Sequence, residues 1–562
     1  MARRTADRAR REGHRPRGRP DGDELTMGQP NPDAASLTLG EAMRSAVAAH
    51  GDLEMVVSQE RRMTFTEVDA ASRNLAGRLL AAGVGKGTRV GLFFTYGHEW
   101  VVCFLAAVRI GALAMPLSTL STPAELGALV RRGNVDTLLA AGSFLGRRVA
   151  DELAEALPAI GASGSPELAI EDAPYLRRVW LTGDTAPTWA SLLDLDAAPG
   201  PGRHLVETAE QAVVPADLAV VVHTSGSTAE PKGVVHTHGS VLRGCVPIRD
   251  DFRVTSSGDP ARVLCAMPFF WVGGVLTVVS AVLAPATLLT MPRVEPGEGL
   301  RMVEQERASH LMGWSTVTQS MRSHPDFATR DLRSLPHLLE GPAEIALIDV
   351  PVPGVPRHRG MSETMGTFAG VETRVVDPTT GERVAAGTEG ELHVRGPGLM
   401  NGYYNHERHE VLDPDGWYAT GDRAYLLDGY PTPFYVGRFS EMIKTAGANV
   451  APREVELALE ALPEIKHGIV VGLESADRGE EVVAVVVTED GHDFERALVV
   501  SAARRELAPY KVPTRWFVTA TDRIPWLGSG KPDKPALRAE LRSGALDADE
   551  VRSDPTSSRS LV

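Results

Sequence analysis

The stretch FTEVDAASRNLAGRLLAAGVGKGTRVGLFFTYGHEWVVCFLAAVRIGALAMPLS (Phe65–Ser118) sets the fold class of this chain. Its first part, FTEVDAASRNLAGRLLAAGV, places apolar side chains at helical spacing and ends around Gly83, so a helix is expected there. TRVGLFF then reads as a buried strand, EWVVCFLAAVRIGA as a helix and AMPLS as the next strand edge. That β-α-β order requires a parallel sheet covered by helices.

Outward from this unit the texture changes twice. Between about Gly370 and Tyr435, short alternating runs separated by Gly, Pro and Asp turns predict a smaller antiparallel sheet or barrel. After Gly437 a new unit begins, with REVELALEAL and ERALVVSAARREL as helices and IKHGIVVGL and EEVVAVVVTE as strands. A length of 562 residues exceeds what one core supports, so several units are expected.

Composition narrows the function. A formal net charge of −15 argues against a nucleic-acid partner, because phosphate neutralisation needs a basic face. Cys103, Cys245 and Cys265 lie far apart, which speaks against a disulfide framework or a zinc site and fits the cytoplasm. Val272–Met291 is uncharged, but Gly273, Gly274, Pro285 and the lack of basic flanks make it a buried core segment, so no membrane span is expected. The first nineteen residues hold eight arginines and almost nothing apolar, so disorder is expected at this end, as in the tail VRSDPTSSRSLV.

The chemistry concentrates around VVHTSGSTAEPKGVVHTHG (Val221–Gly239). The strand LAVVVH runs into a turn of hydroxyls with Gly226, and Lys232 precedes a helical pattern. Converging N–H groups, hydroxyls and an ammonium suit a polyphosphate, although a Ser/Thr/Gly turn alone is more often an ordinary loop. It is not a Walker A loop, since Pro231 and Gly233 stand where Gly and Ser or Thr would be needed. His236 and His238, two apart, read as structural rather than metal-binding. Lysine usage sharpens the reading. Only seven of the 58 basic residues are lysine, and Lys232, Lys444 and Lys531 fall in turn-rich, chemically dense segments. Lys86, Lys466 and Lys534 read as solvated surface residues.

At these residues the chain resembles the adenylate-forming superfamily, in its acyl-CoA ligase branch. HTSGSTAEPKGVVHTHGSV resembles the family's phosphate loop, MPFFWVGG its acyl-pocket motif and RGMSETMG its magnesium and adenine motif. GWYATGD resembles the ribose motif, VGRFSEMIKTAGANVAPREVE the hinge and thioester loop, and PWLGSGK the motif of a C-terminal catalytic lysine. The likeness runs from about Leu37 to Leu541. It implies an α/β fold: a large N-terminal domain of two doubly wound subdomains plus a β-barrel-like subdomain, then a small mobile α+β domain. The expected boundaries are 1–30 disordered, 31–437 AMP-binding, 438–545 the mobile lid and 546–562 a disordered tail.

The resemblance implies that a carboxylic acid attacks the α-phosphate of ATP to give acyl-AMP, and that coenzyme A then displaces AMP. By motif position Thr224, Ser225, Gly226, Ser227, Thr228 and Lys232 hold the phosphates, Ser362 bonds the α-phosphate and Glu363 binds Mg²⁺. Asp422 takes the ribose hydroxyls and Arg438 steadies ribose and phosphate. Lys531 serves adenylation, Lys444 and Gly447 the coenzyme A approach, Ser440 and Glu441 the hinge, and Trp271 and Gly273 the acyl pocket. Three departures touch ATP. Ala229 stands where the family has a further Gly, Arg359 replaces an adenine-stacking aromatic, and the stretch before Arg359 is short. They leave open a ligase with weakened adenylation fed by a partner adenylating enzyme. A carrier-protein-loading enzyme is the other alternative.

Overall fold

The computed structural model describes residues 37–197, 203–224, 231–253, 255, 258–313, 315–340, 370–428, 433–438, 442–450, 452–489, 492, 494–526 and 532–551. Phe65–Ala81 forms helix α1, entered by a capping box in which Thr64 accepts from the Glu67 N–H. Its Leu75, Ala76 and Leu79 face the core. Helix α2, His98–Arg109, is buried from Trp100 onward, because it runs through the core rather than over the surface. Trp100 stacks on Phe104 at 4.9 Å, and Phe269 closes the cluster at 5.2 Å from Trp100. Burying Phe104 and Phe269 completely contributes roughly 1.5–3 kcal/mol each. The same burial demands compensation for Arg109, whose guanidinium reaches Asp69 at 2.7 Å and Glu210 at 3.2 Å.

An eight-stranded sheet carries the predicted β-α-β unit. Arg89–Phe93 pairs in parallel with Leu113–Pro116 and with Thr137–Ala140, and Arg178–Leu181 continues the sheet. The expected strand edge at AMPLS is an interior strand, because Ala114 also pairs with Val220 of strand β1, Leu218–Thr224. Strand β2, Lys232–Thr237, runs antiparallel to β1, and strand β3, Gly402–Tyr403, completes this side. A second sheet of five strands, Glu54–Val57 and Thr287–Leu289 among them, shares one continuous core with the first. Helix α3, Pro123–Arg132, lies in the first unit, and helix α4, Val272–Leu283, belongs to the shared core.

The predicted antiparallel segment is a four-stranded sheet, in the order Glu372–Val376, Gly390–Arg395, strand β4 at Tyr418–Tyr425, and Phe434–Arg438. The C-terminal unit is a six-stranded mixed sheet with its own core of Val, Ile and Trp516. Ile465–Ser475 and Gly479–Thr488 form its long hairpin, and strands β5, Ile443–Thr445, and β6, Ala448–Val450, form a short one. Helix α5, Lys534–Ser543, closes it. The α/β class expected from the sequence is therefore the observed one. Val272–Met291 resolves into α4 and the short strand Thr287–Leu289, and no described helix is long and apolar enough to cross a membrane.

Candidate active site

Two strand pairs place the residues expected to face the nucleotide. β1 and β2 form an antiparallel hairpin with Thr224 directly opposite Lys232. The sequence suggested a strand, a turn and then a helix. Instead Lys232 opens a strand, because KGVVHT is rich in β-branched residues, and helix begins only at His238. Among the described residues no helix N-terminus adjoins Lys232, which enters strand β2 directly. Gly233 lets another strand approach closely, since a Cβ there would lie 3.0 Å from Tyr404 Cβ. Ser225, Gly226, Ser227, Thr228 and Ala229 lie outside the described residues.

Asp422 owes its position to a local irregularity in β4. The register with Gly390–Arg395 shifts between Glu391 and His393, and Gly421 adopts φ +71. Thr420 Oγ1 donates to the Leu392 carbonyl at 2.8 Å and accepts the Asp422 N–H at 3.0 Å. This bulge re-aims the strand, and Asp422 is buried there, 6 % exposed as a residue. Arg438 is the cross-strand partner of Asp422, so two predicted ribose contacts are neighbours although sixteen residues separate them in sequence. A buried carboxyl beside an arginine strand position fits a sugar diol.

At the expected acyl pocket, Trp271 precedes α4 in extended conformation, half-buried, with its ring edge-on to Phe270 at 5.8 Å. A Cβ at Gly273 would lie 2.3 Å from Met267 Sδ. The glycine makes room for the thioether there.

The C-terminal hairpin is built differently. Thr445 pairs with Ala448, so Ala446 and Gly447 form a two-residue turn, with φ +49 and +80. Two positive φ values match the twist of a tight hairpin, and Gly447 accepts this freely while Ala446 is strained. Lys444 is exposed beside it, its backbone N–H donating to Glu480 Oε2 at 2.7 Å. Lys531 lies outside the described residues, but its flanks are fixed. Trp526 bridges to Pro532, and the Asp533 N–H donates to the Pro525 carbonyl at 2.8 Å. Lys534, expected to be a solvated surface lysine, instead pairs at 2.7 Å with buried Glu456. Glu456 attracts it because that carboxyl is 7 % exposed and needs a counter-charge.

Lys511 was not legible as special, although lysine scarcity pointed at it. Its ammonium sits between Glu125 of α3 at 2.8 Å and Glu454 of the C-terminal unit at 2.7 Å. Glu125 Oε2 accepts the Thr122 N–H in the capping box of α3 while Oε1 reaches Lys511. Burial lowers the lysine's pKa, but Tyr510 and the two carboxylates outweigh it and hold it above its ordinary value. Burial pushes Glu454 up, which the lysine only partly offsets.

His238 is fully buried, and its Nδ1 accepts the Leu39 N–H at 3.2 Å. Burial pulls its pKa down to about 4. No group of three or more His, Cys, Asp or Glu side chains suited to a metal occurs among the described residues. Ser362, Glu363, Arg359, Ser440 and Glu441 lie outside them.

The sequence profile of the AMP-binding enzyme family matches residues 43–350 and 341–404, and that of the AMP-binding enzyme C-terminal domain matches 454–531. The chain is 30 % identical to 3-[(3aS,4S,7aS)-7a-methyl-1,5-dioxo-octahydro-1H-inden-4-yl]propanoyl:CoA ligase of Mycobacterium tuberculosis, covering 89 % of this chain and 98 % of that one. It is also 30 % identical to a feruloyl-CoA synthase of Amycolatopsis, covering 85 % and 93 %. Among solved structures, the amide bond synthetase McbA of Marinactinospora thermotolerans superposes with a TM-score of 0.72 at 24 % identity, over 90 % of this chain and 99 % of that one.

Proposed function

The chain belongs to the AMP-binding enzyme family and is an AMP-forming acid–thiol ligase, and on that premise we propose that it converts a hydrophobic aromatic or polycyclic carboxylic acid to its coenzyme A thioester. The observation that carries the nucleotide half is the bulge in β4, which buries Asp422 opposite Arg438 where a ribose diol would be held. In the first step a carboxylate oxygen attacks the α-phosphorus of ATP and pyrophosphate leaves. Lys232 with Thr224 to Thr228 holds the phosphates, Ser362 bonds the α-phosphate, and Lys531 bridges the carboxylate and that phosphate. Glu363 is the residue we assign to Mg²⁺, which when bound offsets phosphate charge. In the second step the thiol sulfur attacks the acyl carbonyl and AMP leaves, with Lys444 and Gly447 lining the approach. The 438–545 unit turns about Ser440 and Glu441 between the steps.

The acid class draws on the names of the two relatives and on Trp271 beside α4. Assays of pyrophosphate release and coenzyme A thioester across aromatic and polycyclic acids, without any carrier protein, test the reading. Matched yields of both products support it. Acyl-AMP that no coenzyme A captures would instead indicate a carrier-loading enzyme. A second reading has one observation in its favour: the family match falls into two pieces that overlap at 341–350, within the short stretch before Arg359. On that reading adenylation is weakened, and a partner enzyme supplies acyl-AMP. Slow pyrophosphate release beside fast capture of synthetic acyl-AMP would favour it.

A further inference from the structure

Lys232 does not stand on the hairpin alone. Strand β3 pairs with β2 in the register Val234 to Tyr403, and the Tyr404 N–H donates to the Gly233 carbonyl at 2.7 Å. This brings the half-buried Tyr403 ring beneath the lysine, with the ammonium 5.0 Å from its centroid. The Tyr403 hydroxyl meets the Tyr418 hydroxyl at 2.6 Å, and the two rings stand nearly perpendicular at 87°. Tyr418 opens β4, the strand that carries Asp422 four residues later. One connected path therefore joins the hairpin lysine to the strand of the buried carboxyl, across segments about 170 residues apart in sequence.

We propose that Tyr403 is a positioning residue for the ATP half-reaction: its ring face restricts the Lys232 ammonium, and its hydroxyl fixes that lysine relative to β4. The inference rests on the reading of Lys232 as a phosphate-holding residue. A lysine side chain has many rotamers to lose on binding, and a ring face that preselects a few lowers that cost. The attraction to a neutral ring is weaker than a charge-assisted bond to phosphate, so the ammonium transfers to the anion when ATP arrives. Arginine would not substitute simply, because a planar guanidinium stacks on the ring and stays there.

The test measures the KM for ATP in pyrophosphate release, the KM for the acid, capture of supplied acyl-AMP by coenzyme A, and the melting temperature. Tyr403→Leu is expected to raise the ATP KM about fivefold to tenfold, with the acid KM and acyl-AMP capture unchanged. Tyr403→Phe and Tyr418→Phe, each removing one partner of the hydroxyl pair, are expected to match each other at about twofold to threefold. In a Lys232→Met background, Tyr403→Leu should add less than about twofold, since its partner is already gone. An unchanged ATP KM in folded Tyr403→Leu overturns the proposal. So does an equal rise in the Lys232→Met background, which would mark a structural role. If the Leu variant fails to fold, the Tyr403→Phe and Lys232→Met cycle decides in the same way. Should Lys232→Met itself leave the ATP KM unchanged, the phosphate reading of Lys232 fails and this inference falls with it.

Discussion

The two short hairpins that carry Lys232 and Lys444 are built on opposite plans. The β1–β2 pair leaves seven residues, 225–231, between its strands and borrows rigidity from elsewhere: β3 pairs along it and Tyr403 lies under its lysine. The β5–β6 pair closes in two residues and keeps its restraint inside the turn, where Ala446 and Gly447 both have positive φ. A long loop braced from outside suits a ligand that the backbone must wrap. A tight turn suits a thin substrate arm that must slide past. The difference is in keeping with the division proposed above, in which the two lysines serve separate half-reactions.

The sharpest way to break that comparison is a crossed pair of variants. Lys531→Ala should lose adenylation by about 10²-fold or more, the scale of removing one charge-stabilising donor, yet still convert supplied acyl-AMP. Gly447→Leu should do the reverse, because a branched side chain at φ +80 is strained and fills the approach. Single-turnover measurement of each half-reaction checks this, and equal losses in both would show that Lys531 and the β5–β6 turn do not serve separate half-reactions.

Next in size is the His238 brace under the same sheet. Its pKa falls from 6.5 unfolded to about 4 folded, so the unfolded chain binds the extra proton between those values. Stability from this group is therefore present above about pH 6.5 and lost as pH falls toward 4, a matter of a few kcal/mol at most. Urea unfolding at pH 7 and pH 5 should show a smaller pH dependence for His238→Gln than for the unaltered chain. The link between units comes third. Glu125→Gln removes one carboxylate from Lys511 but leaves Glu454, so a loss of about 1–2 kcal/mol is expected in the contact between α3 and the C-terminal unit. Faster hydrogen exchange at Ala508, whose N–H donates to Glu125 at 3.4 Å, would register it. The smallest effect belongs to Ala446→Gly. Relief of a positive φ is partly offset by the added freedom of glycine in the unfolded chain, leaving a gain of about 0.5–1 kcal/mol. A melting temperature that falls instead would show that the alanine methyl packs usefully in the turn.

How much was readable in advance differs between these places. Helices α1 and α2 and the long hairpin 465–488 follow from periodicity, because each buries one face or runs continuously apolar. The segment after Lys232 misled the same reasoning. GVVHTHGSV has too few residues to separate a buried strand from a helix, and pairing with β1 and β3 decided it. Lys534 read as a surface cation, and Lys511 drew no reading, because a lysine's burial depends on carboxylates brought in from other segments, Glu456 in one case and Glu125 with Glu454 in the other.

The sequence by itself determined the α/β class and the order of the units, since these depend on local pattern and residue type. Only the tertiary structure decided that Asp422 faces inward beside Arg438, that Tyr403 lies beneath Lys232 and that Lys511 joins two units. Each of these is a contact between segments distant in the chain, fixed by strand register and by the charge a buried group must find, and neither is written in any one stretch of residues.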